Sequence, residues 1–348
     1  MSESVLLSEI AEQPAVLERL LAEAAPEVEE VAADLRARGV HHVVIAARGS
    51  SDNAARYAQY LFGAHNRLTV TLATPSLFTR YGTPPLMTGA FVIGISQSGQ
   101  SPDLIAVVEE GRRQGCPTLA ITNVAGSPLT AAADRTIVLR AGQERSIAAT
   151  KTYTAQLAAL AMLSTALAQD AGHQRELARV PAFVAAAHEV DREAVLAAAA
   201  TLKDAGHGVV LGRGFNFATA FEAALKAKEL AYVAVEPYSS ADFQHGPIAL
   251  IDTGFAAIVI NAAGAVSGEV EDLLRTIAER GARPVVISNL PSSLALAAAP
   301  IPLPAGMPEW LSPIAAIVPG QLLAFHLSRL RGFDPDQPRG LKKVTKTT

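Results

Sequence analysis

The chain has a single cysteine, Cys116, among its 348 residues. A disulfide within the chain is therefore impossible, which favours a reducing compartment. The amino terminus carries Glu3 and Glu9 and no basic start, so it does not match the pattern of a secretion signal. Together these features predict a cytoplasmic protein.

Blocks of one charge sign and long uninterrupted apolar runs are also missing. The formal net charge is −4 and no long lysine and arginine block occurs, so we expect neither nucleic-acid nor anionic-membrane binding. The most apolar stretches, residues 294–303 and 313–325, are interrupted by proline or glycine and are predicted to fall short of a bilayer span. With 50% hydrophobic residues, a chain of this length can build the cores of two domains.

The sequence lacks the usual signatures of metal and nucleotide sites. Its eight histidines are dispersed, no H-x-x-x-H pattern occurs, and one cysteine cannot make a thiolate site. Neither G-x-G-x-x-G nor a P-loop is present. We therefore expect no metal and no organic cofactor.

What the chain does contain is one αβ pattern that occurs twice. Residues 42–49 resemble residues 209–214, because each is an apolar run that ends in Arg-Gly. Residues 90–123 resemble residues 254–289, because both run from an apolar stretch through a turn and a helical pattern to a second apolar stretch. Since the pieces match in order and spacing, we interpret them as two copies of one unit.

The short apolar runs predict strands that are buried on both faces. Alternation of such strands with helical patterns predicts an α/β fold, with parallel sheets flanked by helices and ligands bound at the carboxyl ends of strands. The predicted organisation is an N-terminal helical segment at 1–37, a first lobe at 38–170, a helical connector at 171–196, a second lobe at 197–333 and a tail at 334–348.

The turn at residues 96–101 is the strongest candidate for a binding site. Its sequence, SQSGQS, follows an apolar strand and precedes a helix whose first turn contains Pro102 and Asp103. Hydroxyls, a glycine and the free N–H groups of a helix start suit an anion such as phosphate. Ordinary helix capping explains one serine but not three with Gln97. The matching turn of the second copy, residues 261–264, has no such cluster.

Two further loops enter helices. Gly49, Ser50 and Ser51 follow the first strand, and their counterpart at residues 214–217 again has no hydroxyls. Capping explains each serine alone equally well, but a pocket shared with the 96–101 turn explains them together. In the third loop, residues 141–152, composition alone does not decide whether the charged side chains are solvated or functional.

Glu222, Lys226 and Glu229 are spaced i, i+4 and i+7 and therefore share one helix face. By spacing alone, a ladder of surface ion pairs is the favoured interpretation. The surrounding stretch is nevertheless rich in alanine and leucine, as in a buried helix, where charges need a reason.

His245 and the C-terminal lysines are single residues whose surroundings say little. His245 lies in a turn-like segment, and an isolated histidine is usually structural or exposed. Lys342, Lys343 and Lys346 crowd the C-terminus, where a disordered basic tail is the usual interpretation.

Taken together, these motifs resemble the sugar isomerase (SIS) family, and within it the isomerase half of the glutamine–fructose-6-phosphate aminotransferases. Eight motifs occur in the order of that family, at residues 9–14, 48–51, 96–99, 148–151, 211–214, 222–229, 245–247 and 336–341. Any one of them is weak, but eight in order are a strong signal.

The resemblance implies two flavodoxin-like lobes, a homodimer and a hexosamine or ketohexose 6-phosphate as substrate. It implies that Glu229 moves a proton between C1 and C2, that His245 opens the sugar ring in the neighbouring subunit's site, and that Lys343 forms a Schiff base. The substrate-binding residues that it implies are Gly49, Ser50, Ser51, Ser96, Gln97, Ser98, Ser101, Ile147, Ala149 and Lys226.

The chain departs from the family pattern in two places. Where the synthases have Ala-Ser-Thr-Lys, residues 148–151 read Ala-Ala-Thr-Lys, so one hydroxyl contact is missing at Ala149. The chain starts Met-Ser and has its only cysteine at position 116, so the nucleophile of a glutaminase domain is not expected. The resemblance then favours a glucosamine-6-phosphate deaminase, with fructosamine-6-phosphate deglycases and related amino-sugar phosphate isomerases as alternatives. A non-catalytic phosphosugar sensor is a further alternative, which the retention of Glu229, His245 and Lys343 disfavours.

Overall fold

The structure is a computed structural model that describes residues 4–343. The first three residues and the end of the predicted tail, including Lys346, lie outside the described residues. The chain divides into two compact units. The first unit contains residues 15–144, 151–179 and 342–343, and the second contains residues 4–14, 145–150 and 180–341.

Among the described residues, the amino-terminal half of the chain contains the first sheet and nine helices. Its strands are β1 (His42–Ala46), β2 (Thr69–Leu72), β3 (Ala90–Ser96), β4 (Thr118–Thr122) and β5 (Arg135–Val138). Its helices are α1 (Val5–Ala11), which belongs to the second unit, then α2 (Gln13–Glu23), α3 (Ala25–Arg38), α4 (Ser50–Asn66), α5 (Ser76–Thr79), α6 (Pro102–Arg113), α7 (Pro128–Ala132), α8 (Lys151–Ala168) and α9 (Ala171–Leu177).

The carboxyl-terminal half repeats this arrangement within the second unit. Its strands are β6 (His207–Gly212), β7 (Ala234–Ser239), β8 (Ala256–Asn261), β9 (Arg283–Ser288) and β10 (Ala299–Pro302). Its α-helices are α10 (Val180–His188), α11 (Arg192–Leu202), α12 (Phe217–Ala231), α13 (Ser240–Gln244), α14 (Ser267–Glu279), α15 (Pro291–Ala295) and α16 (Ser312–Leu330). Short 3₁₀ helices occupy Gly214–Asn216, Pro247–Leu250 and Glu309–Leu311.

The two sheets have the same topology. The first is ordered β2-β1-β3-β4-β5 and the second, read from the corresponding edge, β7-β6-β8-β9-β10, with every pair parallel. This is the strand order of flavodoxin-like folds. The predicted α/β fold of two duplicated lobes is therefore confirmed, while the domain boundaries remain a prediction.

Equivalent ion pairs also mark the duplication. Arg48, after β1, contacts Asp103 in the first turn of α6 at 2.9 Å. Arg213, after β6, contacts Glu269 in the first turn of α14 at 2.5 Å. Each pair ties the end of a central strand to the start of the helix that follows the neighbouring strand, so both copies position the same two loops in the same way.

The core of each unit lies along its sheet. All residues of β3 and of β8 are buried, as expected for strands with helices on both faces. Complete burial of one aliphatic side chain stabilises a fold by about 1.5–3 kcal/mol, so these strands hold the loops at their carboxyl ends on a rigid base.

The expectation that proline and glycine interrupt the apolar stretch at 313–325 was wrong. Residues 312–330 form one continuous helix of 19 residues, with Pro319 inside it. Pro313 stands at the first helical turn, where no intrahelical N–H bond is required. By length and composition the helical stretch Glu309–Leu330 could cross a membrane, yet 94% of its most apolar 18-residue window is buried inside the protein.

Candidate active site

The turn after β3 is fixed by hydrogen bonds of its own hydroxyls. Ser96 Oγ accepts from the Gly99 N–H at 3.1 Å, and Ser98 Oγ accepts from the Gln100 N–H at 3.3 Å. Gly99 has a φ of +63°, and a Cβ at this position would lie 2.2 Å from Ser127 Oγ. The turn therefore requires glycine for both its conformation and its packing.

The end of β4 holds the same turn from the side. Thr122 Oγ1 and the Asn123 N–H both donate to the Gln97 carbonyl, at 3.3 and 3.1 Å. Ser101 precedes α6 but its side chain forms no capping bond with the helix. Its hydroxyl is thus available to an anion, whereas the Leu104 N–H already donates to Asp103 Oδ1 at 3.0 Å and the Ile105 N–H to the Ser101 carbonyl at 3.1 Å.

The corresponding turn of the second unit holds a carboxylate of the protein itself. Glu309 Oε2 accepts from the Ala265 N–H at 2.7 Å. A Cβ on Gly264 would lie 2.1 Å from the Glu309 carboxyl carbon, so the carboxylate lies directly on the turn. The lack of hydroxyls in this turn is visible in the sequence, but its contact with Glu309, 44 residues away, is not.

Gly49 and the two serines form the loop between β1 and α4. Gly49 has a φ of +56° and directly precedes α4. Ser51 is buried, and its Oγ accepts from Gln156 Nε2 on α8 at 3.0 Å. Because Ser51 accepts this bond, its own hydroxyl hydrogen is free to be donated. Gln156 was not singled out from the sequence, since nothing marks it among the apolar residues of α8.

In the third loop, residues 141–152, Glu144 is buried, with 4% of its surface exposed. Glu144 Oε1 accepts from the Thr152 N–H at 3.1 Å, and Oε2 accepts from Thr152 Oγ1 at 2.8 Å and from Lys343 Nζ at 2.7 Å. The solvated-surface interpretation of Glu144 is wrong. Lys343 is not a free basic tail residue either, because a buried carboxylate holds its ammonium.

The charged residues of α12 form a buried cluster rather than a surface ladder. Lys226 Nζ contacts Glu222 Oε1 at 3.2 Å and Glu229 Oε2 at 2.7 Å. The side chains of Lys226 and Glu222 are 1% and 0% exposed, whereas that of Glu229 is 23% exposed. Burial alone would lower the pKa of Lys226, but the two carboxylates raise it above its ordinary value. Lys226 therefore stays charged, and Glu229 is the member of the cluster that a ligand can reach.

The remaining predicted residues lie in exposed or half-exposed loops of the second unit. His245 is exposed at the end of α13, and its ring has no hydrogen-bond partner among residues 4–343. Ile147 and Ala149 are partly exposed in the 145–150 loop. The hydroxyl of Ser146, in the same loop, donates to the Ala148 carbonyl at 2.6 Å.

The predicted residues thus fall into two groups. The hydroxyl-rich loops and Lys343 belong to the first unit, and Lys226, Glu229, His245, Ile147 and Ala149 belong to the second. Among residues 4–343, no group of three or more histidine, cysteine or acidic side chains is placed to hold a metal ion. The expectation of a cofactor-free site remains a prediction.

Comparison with known proteins identifies relatives for both halves of the chain. Residues 38–166 and 201–330 each match the SIS domain family. The glutamine–fructose-6-phosphate aminotransferase (isomerizing) of Thermococcus kodakarensis is 35% identical over 348 residues, which cover 97% of this chain and 57% of the relative. The chain therefore spans little more than half the length of this relative.

Two solved structures share the architecture over nearly the whole chain. A candidate phosphosugar isomerase from Silicibacter pomeroyi has a TM-score of 0.87 and 32% identity, covering 96% of this chain and 100% of that one. The C-terminal domain of glucosamine-fructose-6-phosphate aminotransferase from Francisella tularensis has a TM-score of 0.84 and 26% identity, covering 97% and 99% of the two chains.

Proposed function

Because the chain belongs to the SIS domain family, we propose that it is a phosphosugar isomerase acting on a hexosamine or ketohexose 6-phosphate. The observation that carries this proposal is the contact of Lys343 with buried Glu144. A lysine that forms an imine with a keto sugar becomes a protonated iminium, which carries the same charge as the resting ammonium. A fixed carboxylate therefore suits both states and needs no rearrangement during the reaction.

The phosphate of the substrate is proposed to bind at the turn of Ser96, Gln97, Ser98 and Ser101. Support comes from the Ser101 hydroxyl, which forms no capping bond with α6, and from the position of the turn between the carboxyl end of β3 and the start of α6. In the second unit the Glu309 carboxylate takes up the equivalent position, so we expect one phosphate per chain. Gly49, Ser50 and Ser51 are proposed to complete the binding of the sugar phosphate.

Proton transfer between C1 and C2 is assigned to Glu229. A base must be ionised before it acts and must reach the carbon acid. Lys226, fixed by Glu222, keeps positive charge beside Glu229, and the partial exposure of Glu229 leaves it accessible. His245 is proposed to open the ring, serving the site of a second subunit in a homodimer, because its exposed position leaves it free for that contact. Ile147 and Ala149 are proposed as further substrate contacts.

The specific reaction that we propose is conversion of glucosamine 6-phosphate to fructose 6-phosphate and ammonia. Moving the C2 proton to C1 and one proton from the amine nitrogen to O1 turns this 2-amino aldose into a 1-hydroxy compound with an imine at C2. Water then adds to the imine carbon and the C–N bond breaks. The oxygen of water becomes the C2 carbonyl, and its two protons leave with the nitrogen as ammonia. Glu229 and His245 supply the proton transfer and the ring opening, and Lys343 forms its imine with the keto sugar that results, so these steps need no cofactor and no glutaminase. We further propose that the protein acts in the cytoplasm.

The test is turnover on a panel of hexosamine and ketohexose 6-phosphates, assayed for ammonia and fructose 6-phosphate. We expect glucosamine 6-phosphate to release both in equal amounts. Glu144→Gln should lower the yield of borohydride-trapped imine at Lys343 by about tenfold or more, because the iminium loses its counter-charge. Glu309→Gln, the matched change in the second copy, should leave trapping unchanged.

Three outcomes would contradict this proposal in different ways. Cleavage of fructosamine 6-phosphate without ammonia release from glucosamine 6-phosphate would replace the deaminase with a deglycase. Binding of phosphosugars without turnover of any of them would favour a sensor. Equal trapping in the Glu144→Gln variant would remove the assigned role of that carboxylate.

A further inference from the structure

The short helix α1 is tied at its first turn to the C-terminal tail. Asp336 Oδ1 accepts from Ser4 Oγ at 3.1 Å and from the Leu6 N–H at 2.8 Å, and Oδ2 accepts from the Val5 N–H at 3.2 Å. The carboxylate thus satisfies N–H groups that a helix start leaves without intrahelical partners, and its charge favours that end of the helix.

At its other end, α1 is tied to the loop that follows Glu144. Glu9 is 2% exposed. Its Oε1 accepts from the Arg145 N–H at 2.5 Å and its Oε2 from the Ser146 N–H at 3.1 Å. A buried carboxylate is costly unless it is hydrogen-bonded, and here its two oxygens bind two consecutive amides. Such a pair of bonds fixes both the position and the direction of the backbone in the 145–150 loop.

The helix is also anchored to the core at the junction of α1 and α2, where Gln13 lies. The side chain of Gln13, which is fully buried, donates to the Ile10 carbonyl at 3.0 Å and to Gln321 Oε1 on α16 at 2.8 Å. A helix of seven residues would not be stable by itself in water. Its order depends on these tertiary contacts, so loss of one end should loosen the other.

We propose that α1 is a brace that positions the 145–150 loop against the tail, with Glu9 and Asp336 as its two positioning residues. All of the groups in this chain of contacts belong to the second unit. The loop carries Ile147 and Ala149, and the residue before it is Glu144. The consequence for activity rests on the proposed function, whereas the coupling between Asp336 and the loop does not.

The coupling is tested by hydrogen exchange of the intact protein with Asp336→Asn. Asp336 touches neither Arg145 nor Ser146, yet the brace predicts that both of these amides exchange about tenfold faster or more in the variant, because local opening of α1 releases them. Glu18→Gln, which removes one charge from the exposed face of the next helix, α2, should leave them unchanged. Faster exchange confined to Val5 and Leu6 would refute the brace.

The effect on the site is tested with the kinetics of Glu9→Gln. A glutamine has one acceptor oxygen, and its NH₂ group would face a loop N–H, so one amide loses its partner. We expect KM for the phosphosugar to rise by about tenfold, since small misplacements of substrate contacts are costly. We expect Asp336→Asn to act in the same direction and the double variant to be no worse than Glu9→Gln alone, because residues of one network are not additive.

A loss of thermal stability with unchanged KM in both variants would show that α1 is structural only. Additive effects on KM would show that Glu9 and Asp336 act separately. If the wild-type protein has no isomerase activity at all, the proposed function fails, but the exchange experiment still decides whether the brace exists.

Discussion

At the scale of single residues, buried carboxylates hold the groups on which the proposed chemistry depends. Glu222 holds Lys226, and Glu144 holds Lys343, each through a direct contact of 3.2 Å or less. A buried ion pair adds little to stability by itself, but removal of one partner leaves an uncompensated charge. The consequences of such changes are therefore large and easily measured.

Replacement of Lys226 by methionine should destabilise the protein by about 3–5 kcal/mol, because two carboxylates would be left beside each other without their cation. Glu222→Gln in the same chain should restore part of this loss, since it removes the fully buried carboxylate. Urea unfolding at neutral pH measures both effects. Equal stability of wild type and Lys226→Met would mean that the cluster opens to water in solution.

Because the pKa of His65 is lowered in the folded protein, we expect the free energy of unfolding to depend on pH. Burial lowers the pKa of His65 from its ordinary value of 6.5, and the charge of His173, which stacks on it at 4.3 Å between ring centroids, lowers it further against the opposing charges of Glu176 and Asp170. The imidazole of His65 therefore binds a proton more readily in the unfolded chain than in the folded protein. Stability contributed by neutral His65 is present above pH 6.5 and is lost as the pH falls below it.

We expect the free energy of unfolding to fall between about pH 7.5 and pH 5.5, on either side of the histidine titration, and to fall less in His65→Phe, which keeps an aromatic ring on His173 but cannot titrate. Denaturant unfolding at several pH values gives the comparison. The same slope in both proteins would show that other groups cause the acid sensitivity.

At the scale of elements, the duplication uses equivalent turns in different ways. Gly99 packs against Ser127 beneath the turn of the first unit, whereas Gly264 lies under the carboxylate of Glu309. Strand ends, helix starts and arginine–carboxylate pairs are retained in both copies. The difference on which the proposed phosphate site depends is therefore local, and it lies in the hydroxyl groups of one copy and the carboxylate of the other.

Gly264→Ala should destabilise the protein by about 1–3 kcal/mol, because the new Cβ would overlap the Glu309 carboxylate. In a Glu309→Ala background the same substitution should be nearly neutral. A double-mutant cycle on thermal unfolding measures this coupling. Additive effects of the two changes would contradict the placement of Glu309 on the turn.

The strands and the hydroxyl-rich turn could be predicted because they depend on local patterns. Apolar runs of five to seven residues mark β1, β3 and β8, and the SQSGQS turn is contiguous in the sequence. The contacts of Glu9, Glu144 and Glu309 could not be predicted in this way. Glu9 and Glu144 bind partners 136 and 199 residues away, and no local pattern encodes such pairings.

The prediction that proline and glycine interrupt residues 313–325, which lie in α16, failed for another reason. Proline and glycine ordinarily signal a helix end, yet Pro313 stands at the helix start and Pro319 is carried within a helix packed in the core. Tertiary packing overrides the local preference there, since nearly all of the helix is buried. Proline and glycine therefore mark the ends of exposed helices better than those of buried helices.

At the scale of the whole molecule, the proposed roles of Glu229 and His245 predict complementation between chains. If His245 serves the site of a second subunit, Glu229→Gln and His245→Ala should each be inactive alone. Mixed dimers should recover up to about half of the activity per dimer, because one of their two sites receives both intact groups. Inactive mixtures, with heterodimers shown to form, would place His245 in the site of its own chain.

The central claim is that Glu229 moves a proton between C1 and C2 of a phosphosugar. Its most direct test is exchange of the C2 hydrogen of glucosamine 6-phosphate in deuterium oxide, followed by NMR for the wild-type protein and for Glu229→Gln. We predict exchange with the wild type and a loss of about 10²–10⁴-fold in rate with the variant, the usual contribution of a positioned base, with substrate binding largely retained. Exchange at the wild-type rate in Glu229→Gln, or no exchange with the wild type, would contradict the claim.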